Sequence, residues 1–147
     1  MADELPPAPI AVQVFYPDVA AAVAWLCRAF GFTERWRLEP AGTLLMANLG
    51  TPGGGGVMIS GLPDEHAAPA PTPNPWYSIT VMVPDVDAHF TAATAAGATI
   101  VAEPTDQPWG FRDYEAVDLE GRQWNFSQVL HAAAPEDWGA TGTSPSG

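Results

Sequence analysis

One order of elements occurs twice along the chain, and no other feature of the sequence narrows the fold as much. Residues 10–16 form a short apolar run closed by Pro17, so they read as a strand. Asp18 then stands where a helix N-cap belongs. Val19, Ala22, Val23, Leu26, Cys27 and Phe30 follow at helical spacing, and Gly31 ends the helix. Strands are predicted over 32–38 and 43–49, joined by a turn at 39–42. A Gly-rich loop at 51–56 follows, then a strand over 57–60. The pattern restarts with a strand over 76–83, the same Pro-Asp punctuation at Pro84-Asp85, and a helix face of Val86, His89, Phe90 and Ala93 that stops at Gly97. A strand over 99–102, a loop over 103–110 and a hairpin of 112–118 with 123–128 complete it. The two caps lie 67 residues apart. Identity between the halves is weak, so the repeat lies in the order of elements.

The expected class is therefore α+β. Two βαβββ modules, 9–60 and 76–128, form a curled mixed sheet around a cleft. Residues 1–8 read as a flexible leader, 61–75 as a Pro/Ala-rich linker and 129–147 as a flexible tail.

Composition removes several classes of function. Seventeen acidic residues face five basic ones, all arginine, for a net charge of −12. A nucleic-acid binder needs a basic face, and so does a protein held on an anionic membrane. Neither partner is expected. At 47% hydrophobic the chain can bury a core. Cys27 is the single cysteine, so no intrachain disulfide or multi-cysteine zinc site can form. The N-terminal residues carry no secretory-signal pattern and no run is long enough for a membrane span, so the expected location is cytoplasmic.

Few residues offer chemistry. His66 and His131 read as solvated surface groups, His89 as a packed helix residue, and Cys27 as an inert thiol on the apolar stripe. No Ser/His/Asp series, P-loop, GxGxxG or HExxH motif is present. The run Gly53–Gly56 lacks the Lys-Ser/Thr of a phosphate cradle and leads into a strand.

The stretch from Gln107-Pro108-Trp109-Gly110-Phe111-Arg112 through Asp118-Leu119-Glu120-Gly121 to Trp124-Asn125-Phe126 resembles the ending common in glyoxalase/bleomycin-resistance-like proteins of the vicinal oxygen chelate superfamily. Residues 83–90 and 96–98 are similar to the second-module helix of that group, and 24–32 to the first. The likeness covers about residues 9–128 and lies closest to the metal-free bleomycin-resistance-like binders. It implies the two-module fold and a homodimer whose second subunit completes the cleft. In the superfamily's metal enzymes, ligands come from the first and last strands of each module. Carried onto this chain, those positions fall at Ala11, Ser78 and Asn125, with a fourth near Met58 or Ser60. None is His, Asp or Glu, so no metal, no cofactor and no catalytic residue is expected. The third strand, where relatives often carry His-Ala-Glu, reads Met46-Ala47-Asn48.

If Ala11, Ser78 and Asn125 face the cleft, alternation puts Gln13, Phe15, Trp76, Thr80, Met82, Gln123 and Ser127 there too. Val12, Val14, Tyr77, Ile79, Val81, Trp124 and Phe126 then lie under the helices. The expected ligand-binding set is Gln13, Phe15, Met46, Asn48, Trp76, Ser78, Thr80, Trp109, Arg112 and Asn125. The aromatics stack, and Gln13, Ser78, Thr80 and Asn125 offer neutral hydrogen bonds. Alternatives stay open at this point. Phe15 and Trp76 could instead fill a closed core. Trp109 is either a clamp over the cleft or an anchor for its hairpin, and Arg112 either meets the ligand or pairs with a nearby carboxylate. Arg122 sits on an exposed hairpin turn.

Two functions follow from the resemblance. One is sequestration of a small hydrophobic or aromatic natural product, such as a bleomycin-, mitomycin- or enediyne-type antitumour antibiotic, giving self-resistance without chemistry. The alternative is a lyase-, isomerase- or dioxygenase-like enzyme of the same fold, acting on a small carbonyl or aromatic substrate. A titratable group in the cleft would distinguish the enzyme, with Glu34, Asp113 and Glu115 as candidates if they turn inward.

Overall fold

A computed structural model describes residues 10–62 and 77–142. The first module runs β1 (Val12–Tyr16), α1 (Val19–Phe30), β2 (Thr33–Leu38), β3 (Met46–Gly50) and β4 (Gly56–Gly61). The second runs β5 (Ile79–Met82), α2 (Val86–Ala95), β6 (Thr99–Asp106), β7 (Phe111–Val117) and β8 (Gln123–Val129). The sheets have orders β1-β4-β3-β2 and β5-β8-β7-β6, each with one parallel pair, β1 with β4 and β5 with β8. The fold is thus the duplicated βαβββ arrangement.

The repeated Pro-Asp punctuation has one physical job. The carboxylates of Asp18 and Asp85 each accept a backbone N–H three residues on, from Ala21 and Ala88, both at 3.0 Å. Gly31 at φ 71° and Gly97 at φ 93° let the chain leave the helices through the left-handed region.

Each helix covers one face of its own sheet, and α1 also touches α2. The covered faces merge into one core. Phe30, at the end of α1, meets Phe126 of the other module at 4.7 Å between ring centroids and Trp124 at 6.0 Å. Two polar links join the modules across this core. The Tyr16 hydroxyl donates to Asp118 Oδ2 at 2.6 Å. That buried carboxylate also accepts Trp124 Nε1–H at 3.0 Å and, on Oδ1, the backbone N–H groups of Glu120 and Arg122. Four donors therefore satisfy both oxygens. Burial, and then the Asp118 charge, push the Tyr16 hydroxyl far above its ordinary pKa, so it stays a donor. Arg122 lies with its guanidinium carbon 4.8 Å from the Tyr16 ring centroid. It is part of this junction rather than an isolated turn residue.

The second link is His89. Its Nε2 lies 2.7 Å from the Phe30 carbonyl, which can only accept, so Nε2 carries the proton. Nδ1 then accepts from the Tyr114 hydroxyl. This neutral tautomer suits a site whose burial lowers the histidine pKa. A depressed folded-state value means that the stabilisation is complete above about pH 6.5, the unfolded value, and is lost as pH falls through the folded value. Urea midpoints of the wild type are expected to drop between pH 7.5 and 5.5. His89→Phe should be less stable at pH 7.5 and lose distinctly less over that interval. Parallel curves for the two proteins would refute the assignment.

Several expectations at the element level change. The strand predicted over 99–102 extends to Asp106, because β-bulges between Ile100 and Thr105 accommodate Pro104. Tyr77 is exposed rather than packed under a helix, since regular pairing starts only at Ile79. Part of the expected flexible tail is ordered, with Pro135–Trp138 forming one 3-10 turn. The glycine run folds against β5. A Cβ on Gly53 would stand 2.2 Å from the Met82 carbonyl oxygen, and Arg35 ties the loop by donating to the Gly55 carbonyl at 3.0 Å. Trp76 and His66 lie outside the described residues.

Candidate functional site

The face of each sheet turned away from its helix carries the candidate residues. On the first sheet, cross-strand pairing sets Gln13, Met58, Asn48 and Trp36 in one row and Phe15, Ser60, Met46 and Leu38 in the next. Partners in a row share a face, so Gln13, Phe15, Met46 and Asn48 come together as expected. Met58 and Ser60 lie on this face as well. Gln13 Nε2 donates to Ser60 Oγ at 2.8 Å. The Asn48 Oδ1 atom is buried and has no hydrogen-bond donor. Phe15 on edge strand β1, and Trp36 and Leu38 on the opposite edge strand β2, leave 38, 42 and 49% of their surface exposed, with Met46, Met58, Ser60 and Asn48 on the strands between them.

Sequence reasoning missed Trp36. A bulge between Glu34 and Trp36 shifts the β2 register, so simple alternation along this strand misassigns the face.

On the second sheet the rows are Thr80, Asn125 and Glu115, then Met82, Ser127 and Asp113. Asn125 Nδ2 donates to Ser127 Oγ at 3.1 Å and to Thr80 Oγ1 at 3.4 Å. Ser78 is exposed just before β5. Two titratable groups therefore do share the face with Asn125. Glu115 accepts Gln123 Nε2 at 2.8 Å, and Asp113 accepts Gln107 Nε2 at 2.9 Å. Of the three carboxylates named from the sequence, Asp113 and Glu115 turn to this face, because the β7–β8 register pairs them with Ser127 and Asn125. Glu34 stays apart and pairs with Arg37.

Arg112 lies outside the group. It pairs with Gln128, one residue out of phase with Asn125 and Ser127, and its guanidinium contacts Asp87 on α2 at 3.1 Å and Asp106 at 2.8 Å. The two carboxylates raise its pKa further, Asp106 first.

Trp109 stands on the loop before β7, at the end of the second sheet's open face, where Phe111 pairs with Val129. Its ring meets Trp138 of the tail, with centroids 6.1 Å apart and planes at 70°. An open cavity of about 580 Å³ lies between these aromatics and residues 131–133. A smaller one of about 240 Å³ lies where the glycine loop meets β5.

Around the positions that hold metal in related enzymes stand amides, hydroxyls and a thioether, with Glu115 as one carboxylate. Among the described residues no three of His, Cys, Asp and Glu gather closely enough to hold an ion. This donor set does not fit a divalent transition metal. Among the same residues, no helix is long and apolar enough to cross a membrane.

Residues 9–126 match the profile of the Glyoxalase/Bleomycin resistance protein/Dioxygenase superfamily. An uncharacterised protein of Mycobacterium bovis is 32% identical over 118 residues, which is 77% of this chain and 78% of that protein. Among solved structures, TioX from Micromonospora sp. ML1 is 38% identical, with a TM-score of 0.69 over 86% of this chain and 100% of TioX. A family enzyme from Burkholderia phytofirmans PsJN shares the fold at 23% identity and a TM-score of 0.62, over 82% of this chain and 97% of that one. The duplicated modules, their register and these matches agree, and the chain belongs to the glyoxalase/bleomycin resistance protein/dioxygenase superfamily.

Proposed function

We propose that the protein binds a planar or amphipathic organic molecule, a natural product of the antitumour-antibiotic kind, and holds it unchanged in the cytoplasm as a resistance device. The observation that carries this reading is the open face of the first sheet, where exposed Phe15 at one edge and Trp36 and Leu38 at the other flank Met46, Met58 and the neutral polar groups of Gln13 and Asn48. Aromatic and thioether groups supply contact area, and a few neutral hydrogen-bonding groups orient the ligand. Among the described residues the buried Asn48 oxygen has no donor, and a ligand N–H reaching it would supply one. Sequestration needs no reacting group, in keeping with the donor set described above.

A homodimer belongs to the same proposal. An open sheet face with apolar side chains exposed at both edges is covered efficiently by a second copy, whose own open face then forms the opposite wall. A sedimenting monomer at micromolar concentration would count against it.

The test is a tryptophan-fluorescence titration against a panel of aromatic and DNA-damaging antibiotics, followed by mass spectrometry of the recovered compound. Phe15→Ala and Trp36→Ala are each expected to weaken binding by about tenfold to thirtyfold, as for buried aromatic anchors, without loss of fold. Binding that ignores both changes would remove this face from the site.

Glu115 favours a second reading, since it is a carboxylate on the open face beside Asn125. If the compound is recovered chemically altered, with turnover, and Glu115→Gln stops the conversion while leaving binding intact, the protein is an enzyme with Glu115 as its proton acceptor.

A further inference from the structure

We propose that the corner between Trp109 and Trp138 is a subsite for an alkylated ammonium group. The inference rests on the binding reading above and specifies the charge of the group bound at one end of the second sheet. The two indole planes meet at 70° with centroids 6.1 Å apart, so they form two walls rather than a parallel stack. Each residue keeps about two-fifths of its surface exposed, at 39% for Trp109 and 41% for Trp138. Phe111 and Val129 are cross-strand partners at the foot of the same cavity.

Walls of this kind attract a cation through the negative face of the indole, the strongest of the aromatic side chains in that respect. The cavity, at about 580 Å³, takes an ammonium group with the body of a larger molecule attached.

Charge points the same way. The chain carries −12, and Glu136 and Asp137 stand directly before Trp138 on the same turn. Backbone N–H groups hold the Glu136 carboxyl below its ordinary pKa, so it is ionised. Among the described residues no arginine lines the cavity, and His131 is the titratable one in its wall. Neither carboxylate lines the cavity, and each accepts a backbone N–H, so their contribution to a cation is the long-range field of a strongly acidic chain.

The corner is held in place by the backbone. Leu130 N–H donates to the Gly110 carbonyl at 2.8 Å, and Ala134 N–H to Asp137 Oδ2 at 2.9 Å. Gly110 sits at φ 89°, with the His131 carbonyl oxygen 2.4 Å from where a Cβ would be. Only glycine allows the tail to approach the Trp109 loop this closely.

The test compares choline with its uncharged isostere 3,3-dimethylbutan-1-ol, using the full chain and reading tryptophan fluorescence and NMR shifts of the indole N–H groups. Choline is expected to shift the Trp109 and Trp138 signals and to bind at least about tenfold more tightly than the isostere. Trp138→Ala should abolish that preference, and Trp138→Phe should restore part of it. The Phe variant guards against simple loss of the tail turn. Equal affinity for the two probes, or a preference that survives Trp138→Ala, would overturn the proposal. If the cation fails while an antibiotic still binds in a Trp36-dependent way, the ammonium subsite falls and the sequestration reading stands. If choline binds through the corner and no antibiotic responds to Phe15 or Trp36, the reverse holds.

Discussion

Replacing Asp118 with alanine is expected to lower stability by about 3 kcal/mol or more, the largest loss of any single polar change. The carboxylate is buried and accepts four donors, two of them from the buried side chains of Tyr16 and Trp124. Alanine leaves a phenol and an indole N–H without partners, and each orphan costs about 1–3 kcal/mol. Urea denaturation would measure the loss. A second substitution sharpens the result. Tyr16→Phe removes one orphan in advance, so adding it to Asp118→Ala should cost less than it costs in the wild type. Strict additivity of the two changes would mean that the hydroxyl and the carboxylate contribute independently, contrary to their 2.6 Å contact.

Phe30→Ala is expected to cost about 3–5 kcal/mol, the range for truncating a fully buried aromatic ring. The ring touches Trp25 and Phe32 of its own module and Trp124 and Phe126 of the other. The cavity would open where the modules meet. Because the Phe30 carbonyl belongs to the backbone, His89 keeps its bond, and the acid sensitivity assigned to His89 should persist in the variant. Thermal unfolding at pH 7.5 and 5.5 checks both parts. A loss below about 1 kcal/mol would show that neighbouring rings close the gap.

Much of the architecture was legible because it depends on local chemistry with a short period. Asp18 and Asp85 announce helix starts by a side-chain bond only three residues long. Alternation on β1, β5 and β8 assigns faces correctly, since these strands run without bulges. The rest depends on register, which no local signal carries. Trp36 changes face through a bulge, and Glu115 reaches the open face through pairing with a strand eight or more residues away. Asp118 reads as a turn residue, and its hydrogen bonds to Glu120 and Arg122 fit that reading. Its other role depends on Tyr16, a residue 102 positions earlier that had been placed simply at the end of a strand. Trp138 falls within the segment read from the sequence as a flexible tail, because its partner, Trp109, belongs to a loop whose position only the folded hairpin defines. For the ligand-facing residues, sequence reasoning therefore supplied candidates, and pairing decided which of them share a face.

The link between Tyr16 and Asp118 also sets an order of events during synthesis. When synthesis reaches Gly61, the end of the first module, its β1 phenol and the carbonyl at the end of α1 both lack partners that have not yet been translated. Nascent chains lengthen at about 5–20 residues per second, so the stretch from Gly61 to Asp118 takes several seconds. Through that interval the first half carries a buried-side hydroxyl that only water can satisfy, and the aromatic edge of Phe30 stands open. The second half supplies both partners, His89 and Asp118. A pause in translation between the halves would prolong the interval in which these groups lack their partners.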